Sequence, residues 1–183
     1  MRSTSREEKD IYHDAKLSSL RLKPVTTVSS DSPCADAIET MRDKGFDQLP
    51  VLAPKSRRLV GLVTLGNLLS RISHGRASGK SPVRDVMFDF SKIAEVVNDP
   101  RDISNLSPSK KEQTGVVDGK ADKGKKRNFV EITMNTPLSA LSRFLELSSA
   151  AVVTERSEGE MKPVAVVTKV DLLTWLVRQN RIE

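Results

Sequence analysis

GLVTLGNLLSRI at residues 61–72 and AVVTKVDLLTWL at residues 165–176 are two copies of one pattern. In each, an apolar run closes on a threonine, and a polar residue follows three positions later, just before a pair of leucines. Thr64 and Thr168 stand 104 residues apart, and so do Asn67 and Asp171. The same offset pairs Ser32-Pro33 with Thr136-Pro137, and FDQLPV at 46–51 with AAVVTE at 150–155. Agreement at separated landmarks under one spacing marks an internal duplication, and a repeat decides the architecture before any single motif does.

Each copy reads as strand, helix, strand, strand, helix. VTTV at 25–28 is rich in β-branched residues. Ser32 stands as N-cap with Pro33 at the first helical position, where the missing N–H costs nothing. Ala35, Ile38, Met41 and Arg42 follow at helical spacing, and Gly45 ends that helix. QLPVL (48–52) and LVGLVT (59–64) flank a polar turn and form a hairpin. A helix then begins near Leu65, with Leu65, Leu68, Leu69 and Ile72 expected on one apolar side. The second copy repeats this order through FVEIT, a helix from Pro137 to about Leu147, SAAVV, PVAVV and VDLLTWLVRQ. SPVRDVM at 81–87 reads as a short helix capped by Ser81. The expected fold is α/β, two tandem domains about a pseudo-two-fold, each with a small sheet and two packed helices. The boundaries are an N-terminal linker over 1–16, a first domain over 17–80, a second over 81–178, and a tail over 179–183. Inside the second domain, residues 98–127 are polar, glycine-rich and nearly free of large apolar side chains, which predicts a disordered loop.

Composition narrows the function classes. The chain has 183 residues and 37% apolar content, enough for a core, but only 4% aromatics. The one cysteine, Cys34, has no internal partner for a disulfide, which favours a reducing compartment and points to the cytoplasm. It falls inside a helix and reads as a small buried residue. No apolar run is long enough to span a bilayer. The net charge of +6 is partly parked in residues 98–127, where eight Lys or Arg face five Asp or Glu. Without interleaved aromatics this reads as solubility rather than a nucleic-acid face. His13 and His74 are too few and too far apart in sequence for a metal pair, and no Ser/His/Asp set or paired carboxylates stand out.

A final strand ending in Val-Thr, followed by a helix with Asp or Asn in its first turn, resembles the CBS domain. Two such units form a Bateman module. KGFDQLPVL, GLVTLGNLL and VVTKVDLLTWL together resemble the C-terminal regulatory region of the cystathionine β-synthases, most of all the fungal ones, over roughly residues 17–178. The resemblance implies a regulatory part of a cysteine-biosynthetic (transsulfuration) enzyme. Pyridoxal phosphate and haem would belong to a catalytic half that this chain lacks. The glycines are scattered, and no glycine-rich phosphate cradle is present, so no lyase activity is expected. The implied partners are its own catalytic domain or a separate cystathionine β-synthase chain, and a second copy in a homodimer through the CBS domains.

The resemblance also implies two clefts shared between the repeats, suited to an adenosyl ligand such as S-adenosylmethionine. Asp171, after Thr168, is the expected ribose carboxylate, with Pro24, Phe46 and Gln48 of the first repeat opposite and Val166 on the near side. Phe46 would stack on adenine. The other cleft is poorer. Asn67 replaces the carboxylate beside Thr64 and is a weaker ribose acceptor than an ion, while Ala150, with Val152 after it, stands where Phe46 stands. Plain structural roles fit the same residues: Asp171 as a first-turn acid, Phe46 as core, and Thr64 and Thr168 as strand-end caps. The alternative function is a stand-alone sensor of AMP, ADP or ATP, for which Lys23 and Lys169 are the nearest phosphate ligands. Trp175, beside Leu172, Leu173 and Leu176, reads as core or subunit contact.

Overall fold

The computed structural model describes residues 11–92, 95–97 and 128–179. The segment 98–127, expected as a disordered loop, lies outside the described residues. In the first half, β1 (Val28–Ser29), α1 (Cys34–Lys44), β2 (Gln48–Leu52), β3 (Leu59–Thr64), α2 (Leu65–Ser73) and β4 (Phe88–Asp89) follow in order. Their strands form one sheet in the order β1-β2-β3-β4, with β1 parallel to β2 and the other pairs antiparallel. A parallel pair, β5 (Glu95–Val97) and β6 (Asn128–Val130), comes next. The second half consists of α3 (Leu138–Leu147), β7 (Ala150–Ser157), β8 (Glu160–Thr168) and α4 (Lys169–Gln179). There the counterpart of β1 shrinks to a parallel bridge between Ile132 and Val153. VTTV at 25–28 likewise contributes only Val28 to a strand.

Each half wears a piece of chain from the other side of the sequence. A 3₁₀ turn at Val83–Asp85 buries Val83 and Val86 in the first core, against Cys34, Ala37, Met41, Leu49 and Val63. A matching turn at Leu17–Ser19 buries Leu17 and Leu20 in the second core, against Ile132, Leu138, Leu141, Leu145 and Val167. The main-chain bonds repeat one for one. Val83 N–H donates to Ser32 O and Arg84 N–H to Ser30 O; Leu17 N–H donates to Thr136 O and Ser18 N–H to Met134 O, all at 2.9 Å. Each of the domains expected over 17–80 and 81–178 therefore lends its first residues to the core of the other half. Residues 17–20 pack with the second half and 81–87 with the first.

That exchange also moves the helix starts. Pro33 and Pro137 have ψ of 146° and 142°, so they precede their helices as caps rather than opening them. No side chain caps α1. Its first N–H groups donate instead to the exchanged segment, Cys34 to Ser81 O at 2.8 Å and Ala35 to Gly79 O at 2.9 Å. Leu138 N–H does the same to Ala15 O at 2.8 Å. Donors that lack an intrahelical partner need some acceptor, and here another segment of the same chain supplies it in place of Ser32. Ser81 does not cap the turn that follows it, which begins after Pro82.

The offset of 104 holds at the helix starts and at Thr64 and Thr168 but slips on one strand. Gln48 pairs with Thr64, whereas Ala150 pairs with Thr168. In structure Ala150 thus answers Gln48, Val152 answers Pro50, and Ser148 stands where Phe46 stands. The physical cause lies just before the strand. α1 has eleven residues and leaves through Gly45 at φ 70°, a left-handed position suited to glycine. α3 has ten and leaves through Ser148 in extended conformation. The halves meet where β3 and β8 approach each other, and Val25 N–H donates to Val164 O at 3.2 Å.

Candidate functional site

The two strand-to-helix junctions share a backbone and differ in how they are closed. At the first, Thr64 Oγ1 accepts from Asn67 N–H at 3.1 Å, an ordinary N-cap. At the second the bond runs the other way. Asp171 Oδ2 accepts from Thr168 N–H at 2.8 Å and from Thr168 Oγ1–H at 3.0 Å. The third helical residue thus reaches back to the cap position, as in a capping box. The carboxylate also sits in the first turn of α4, where the helix dipole favours negative charge. Its other oxygen, Oδ1, has no protein partner among the described residues. Asp171 is therefore both a structural cap and a half-free acceptor.

A cleft opens at each junction, and the two are equivalents. The larger, about 380 Å³, lies between Ser19, Leu20 and Arg21 of the exchanged segment and Asp171, Thr174, Trp175, Arg178 and Gln179 of α4. The smaller, about 220 Å³, lies between Val86, Met87 and Phe88 and Asn67, Ser70 and Arg71 of α2. Residues 171, 174, 175 and 178 follow helical spacing and share one face of α4. Trp175 stacks on Tyr12, with ring centroids 6.4 Å apart at 21°, and Tyr12 Oη–H donates to Ser142 Oγ at 2.7 Å. Tyr12 and Trp175 also pack on the second core, which agrees with the core role expected for the tryptophan.

Of the residues expected around an adenosyl ligand, only Asp171 lines the larger cleft and only Asn67 the smaller. Thr168 is tied to Asp171, and Val166 faces Val152 across the β7–β8 ladder. Pro24 precedes Val25, whose bond to Val164 brings that segment alongside β8. Gln48 is half-buried at the start of β2. Phe46 is 43% exposed, so it is not core packing. Asp47 O accepts from Leu65 N–H at 2.9 Å and so braces the first junction. Sequence reasoning missed Arg21, Thr174 and Arg178 as cleft residues. The spacing from Asp171 along α4 carries a signal for Thr174 and Arg178, but nothing local places Arg21 there.

The apolar side expected for α2 divides in two. Leu68 is 2% exposed, whereas Leu69 is 71% and Leu65 43% exposed. On α4, Leu172 is buried while Val170, Leu173 and Val177 are exposed. Of these, Leu69 and Leu173 are equivalents under the offset of 104, so the two helices share one outward leucine. Among the described residues no cluster of three metal-ligating groups occurs, and no helix is long and apolar enough to cross a membrane.

Comparison with known proteins follows the same lines. The model of the CBS domain matches residues 17–74. A cystathionine beta-synthase of Saccharomyces cerevisiae is 35% identical over 167 residues, which is 91% of this chain and 29% of that protein. One from Dictyostelium discoideum is 32% identical over 180 residues, 98% of this chain and 28% of that protein. The chain therefore spans under a third of the length of these relatives. A CBS-pair protein of Arabidopsis thaliana has a TM-score of 0.57 at 16% identity, covering 91% of this chain and 96% of that one. A CBS domain pair solved in complex with 5-methylthioadenosine and S-adenosyl-L-methionine has a TM-score of 0.57 at 12% identity, covering 90% and 98%. With its duplicated strand-to-helix junctions, exchanged segments and these likenesses, the chain belongs to the CBS-domain family as a tandem pair.

Proposed function

We propose that this pair is a regulatory module of cystathionine β-synthase that binds an adenosyl ligand at the second junction and controls activity, stability or assembly of the enzyme. The observation that carries the reading is the carboxylate of Asp171. One oxygen is fixed by Thr168, and the other is left to accept from the hydroxyls of a ribose. Phe46, exposed and aromatic, supplies a face for adenine, and Pro24 and Val166 supply the apolar wall. The first junction offers Asn67 without a charge and Ser148 in place of the aromatic, so it serves this ligand poorly. A ligand that binds one arrangement of the pair better than another shifts the population by that difference in affinity.

Lyase chemistry, with its pyridoxal phosphate, would belong to the module's own catalytic domain or to a separate cystathionine β-synthase chain. The outward apolar residues of α2 and α4 fit a second copy of the module, giving a homodimer. Sedimentation of wild type and Leu69→Glu checks that assembly. The ligand is tested by calorimetry with S-adenosylmethionine, AMP and ATP on wild type and Asp171→Ala. Binding of S-adenosylmethionine that disappears in the variant supports the proposal. Preference for AMP or ATP moves the module to the nucleotide-sensing alternative. Silence toward all three leaves a purely structural role.

A further inference from the structure

The two exchanged segments enter through turns that are equivalent in place and opposite in hand. Leu17 answers Val83, and by the same spacing Tyr12–Ala15 answers Ser78–Ser81. Ala15 N–H closes the first turn on Tyr12 O at 2.8 Å, and Ser81 N–H closes the other on Ser78 O at 3.0 Å. Each turn then offers a carbonyl to a helix start, Ala15 O to Leu138 N–H and Ser81 O to Cys34 N–H, both at 2.8 Å. The central residues differ. His13 and Asp14 have φ of 46° and 58°, the signs of a type I′ turn, whereas neither Gly79 nor Lys80 has a positive φ. The glycine thus stands in the turn that does not need it, and two residues with a Cβ stand in the left-handed one, where that Cβ is crowded. Both of those side chains are exposed. The turn at 78–81 has a local lock, Ser78 N–H on Ser81 Oγ at 2.9 Å. The left-handed turn is held from a distance instead, by the stack of Tyr12 on Trp175 and the bond from Tyr12 Oη–H to Ser142 Oγ. Trp175 is at the same time a wall of the larger cleft.

We propose that residues 12–15 are a two-state clasp on the larger cleft. Closed, the strained turn holds Tyr12 on Trp175. Open, it relaxes to the hand used at 78–81. Ala15 stays bound to α3, so the change of hand swings Tyr12 and the chain before it away from α4, and Trp175 loses its cover. Backbone strain that only the surroundings maintain marks a segment with a second conformation within reach. Clasp and cleft share one ring, so movement of the chain before Tyr12 reaches the cleft through Trp175, whichever ligand the cleft takes.

Acrylamide quenching of Trp175, the chain's one tryptophan, reads the clasp in the full chain under native conditions. A β-branched residue resists positive φ, so Asp14→Val should raise the open population roughly tenfold and the quenching constant by about twofold or more. Asp14→Gly takes up the same φ without that crowding and should quench no more than wild type. Tyr12→Phe, which keeps the ring and removes the bond to Ser142, should fall between wild type and Asp14→Val. Lys80→Val, the same change in the equivalent turn, should leave quenching at the wild-type value. Val153→Ala thins the second core away from the clasp and should also leave it there, well below the unfolding transition. Equal quenching in Asp14→Val and Asp14→Gly overturns the proposal. A rise in Val153→Ala as large as in Asp14→Val overturns it too, since that would mark general loosening of the second half. No ligand enters the experiment, so its outcome is independent of the adenosyl reading.

Discussion

The two halves of this chain repeat one backbone and load it differently at three places. The borrowed segment brings leucines, Leu17 and Leu20, to the second core but valines, Val83 and Val86, to the first. The inner strand of the hairpin carries Gly61 in the first half and Ala165 in the second. The helix that follows carries Asn67 in the first and Asp171 in the second. Duplication fixed the shared scaffold, and each of these differences assigns a separate duty to one half. The chain's single tryptophan, Trp175, lies in the second half and its single cysteine, Cys34, in the first. Each half thus has its own probe.

The largest effect should come from the borrowed leucine. Leu17 is fully buried, and Leu17→Ala opens a cavity in the second core. It should cost about 3 kcal/mol, read as a lower midpoint of the Trp175 fluorescence transition in denaturant. If residues 17–20 served the first half, as the boundary at 17 implies, the tryptophan transition would not move. Next comes the hairpin glycine. A Cβ on Gly61 would lie 2.5 Å from Phe88 O and 2.8 Å from Met87 Sδ, because β4 runs close against β3. A main-chain oxygen yields little, so Gly61→Ala should cost about 2 kcal/mol. In the second half, among the described residues, the strand that β8 pairs with is β7, and an alanine already fits. There the reverse change, Ala165→Gly, should cost about 1 kcal/mol through chain entropy. Equal losses at the two positions in thermal unfolding would mean that β4 is not packed as described.

Smaller effects separate the junctions. Thr64→Ala and Asp171→Ala each remove the side chain that caps their helix, and each should cost about 1 kcal/mol. Asn67→Ala should be near neutral, because only its main-chain N–H takes part in the cap. An Asn67 as costly as Asp171 would erase the difference between the junctions.

Much of this was legible from residue types alone. Gly45 ends α1 as expected, with φ of 70°, and β2 and β3 run as their apolar patterns predict. The failures share a cause. Alternation and helical spacing say that a residue is buried but not against what, so they do not place Leu17 or Val83 across the seam from its sequence neighbours. The slip on β7 follows from one shorter helix and one shorter connection, and identical strand patterns hide a shift of two residues, since inward and outward faces stay in phase. The Asp171 carboxylate was readable because strand and helix around it are contiguous. Arg21 was not, since its place beside α4 depends on a contact between residues more than a hundred positions apart.

The last test needs no substitution to begin with. Cys34 is fully buried as the first residue of α1. Burial pushes its thiol pKa up, the carboxylate of Asp85 adds to that, and a main-chain hydrogen bond opposes it. A raised pKa and a closed core both starve a disulfide reagent of thiolate. Labelling of the native chain should therefore be slower than in denaturant by on the order of a hundredfold or more, and should follow opening of the first core. Val83→Ala, which thins the borrowed segment over Cys34, should speed it. Leu17→Ala should speed it far less, although it is the more destabilising change, because the leucine holds the other half. Equal acceleration by both variants would mean that the halves open as one unit, with the seam between β3 and β8 stronger than either borrowed contact.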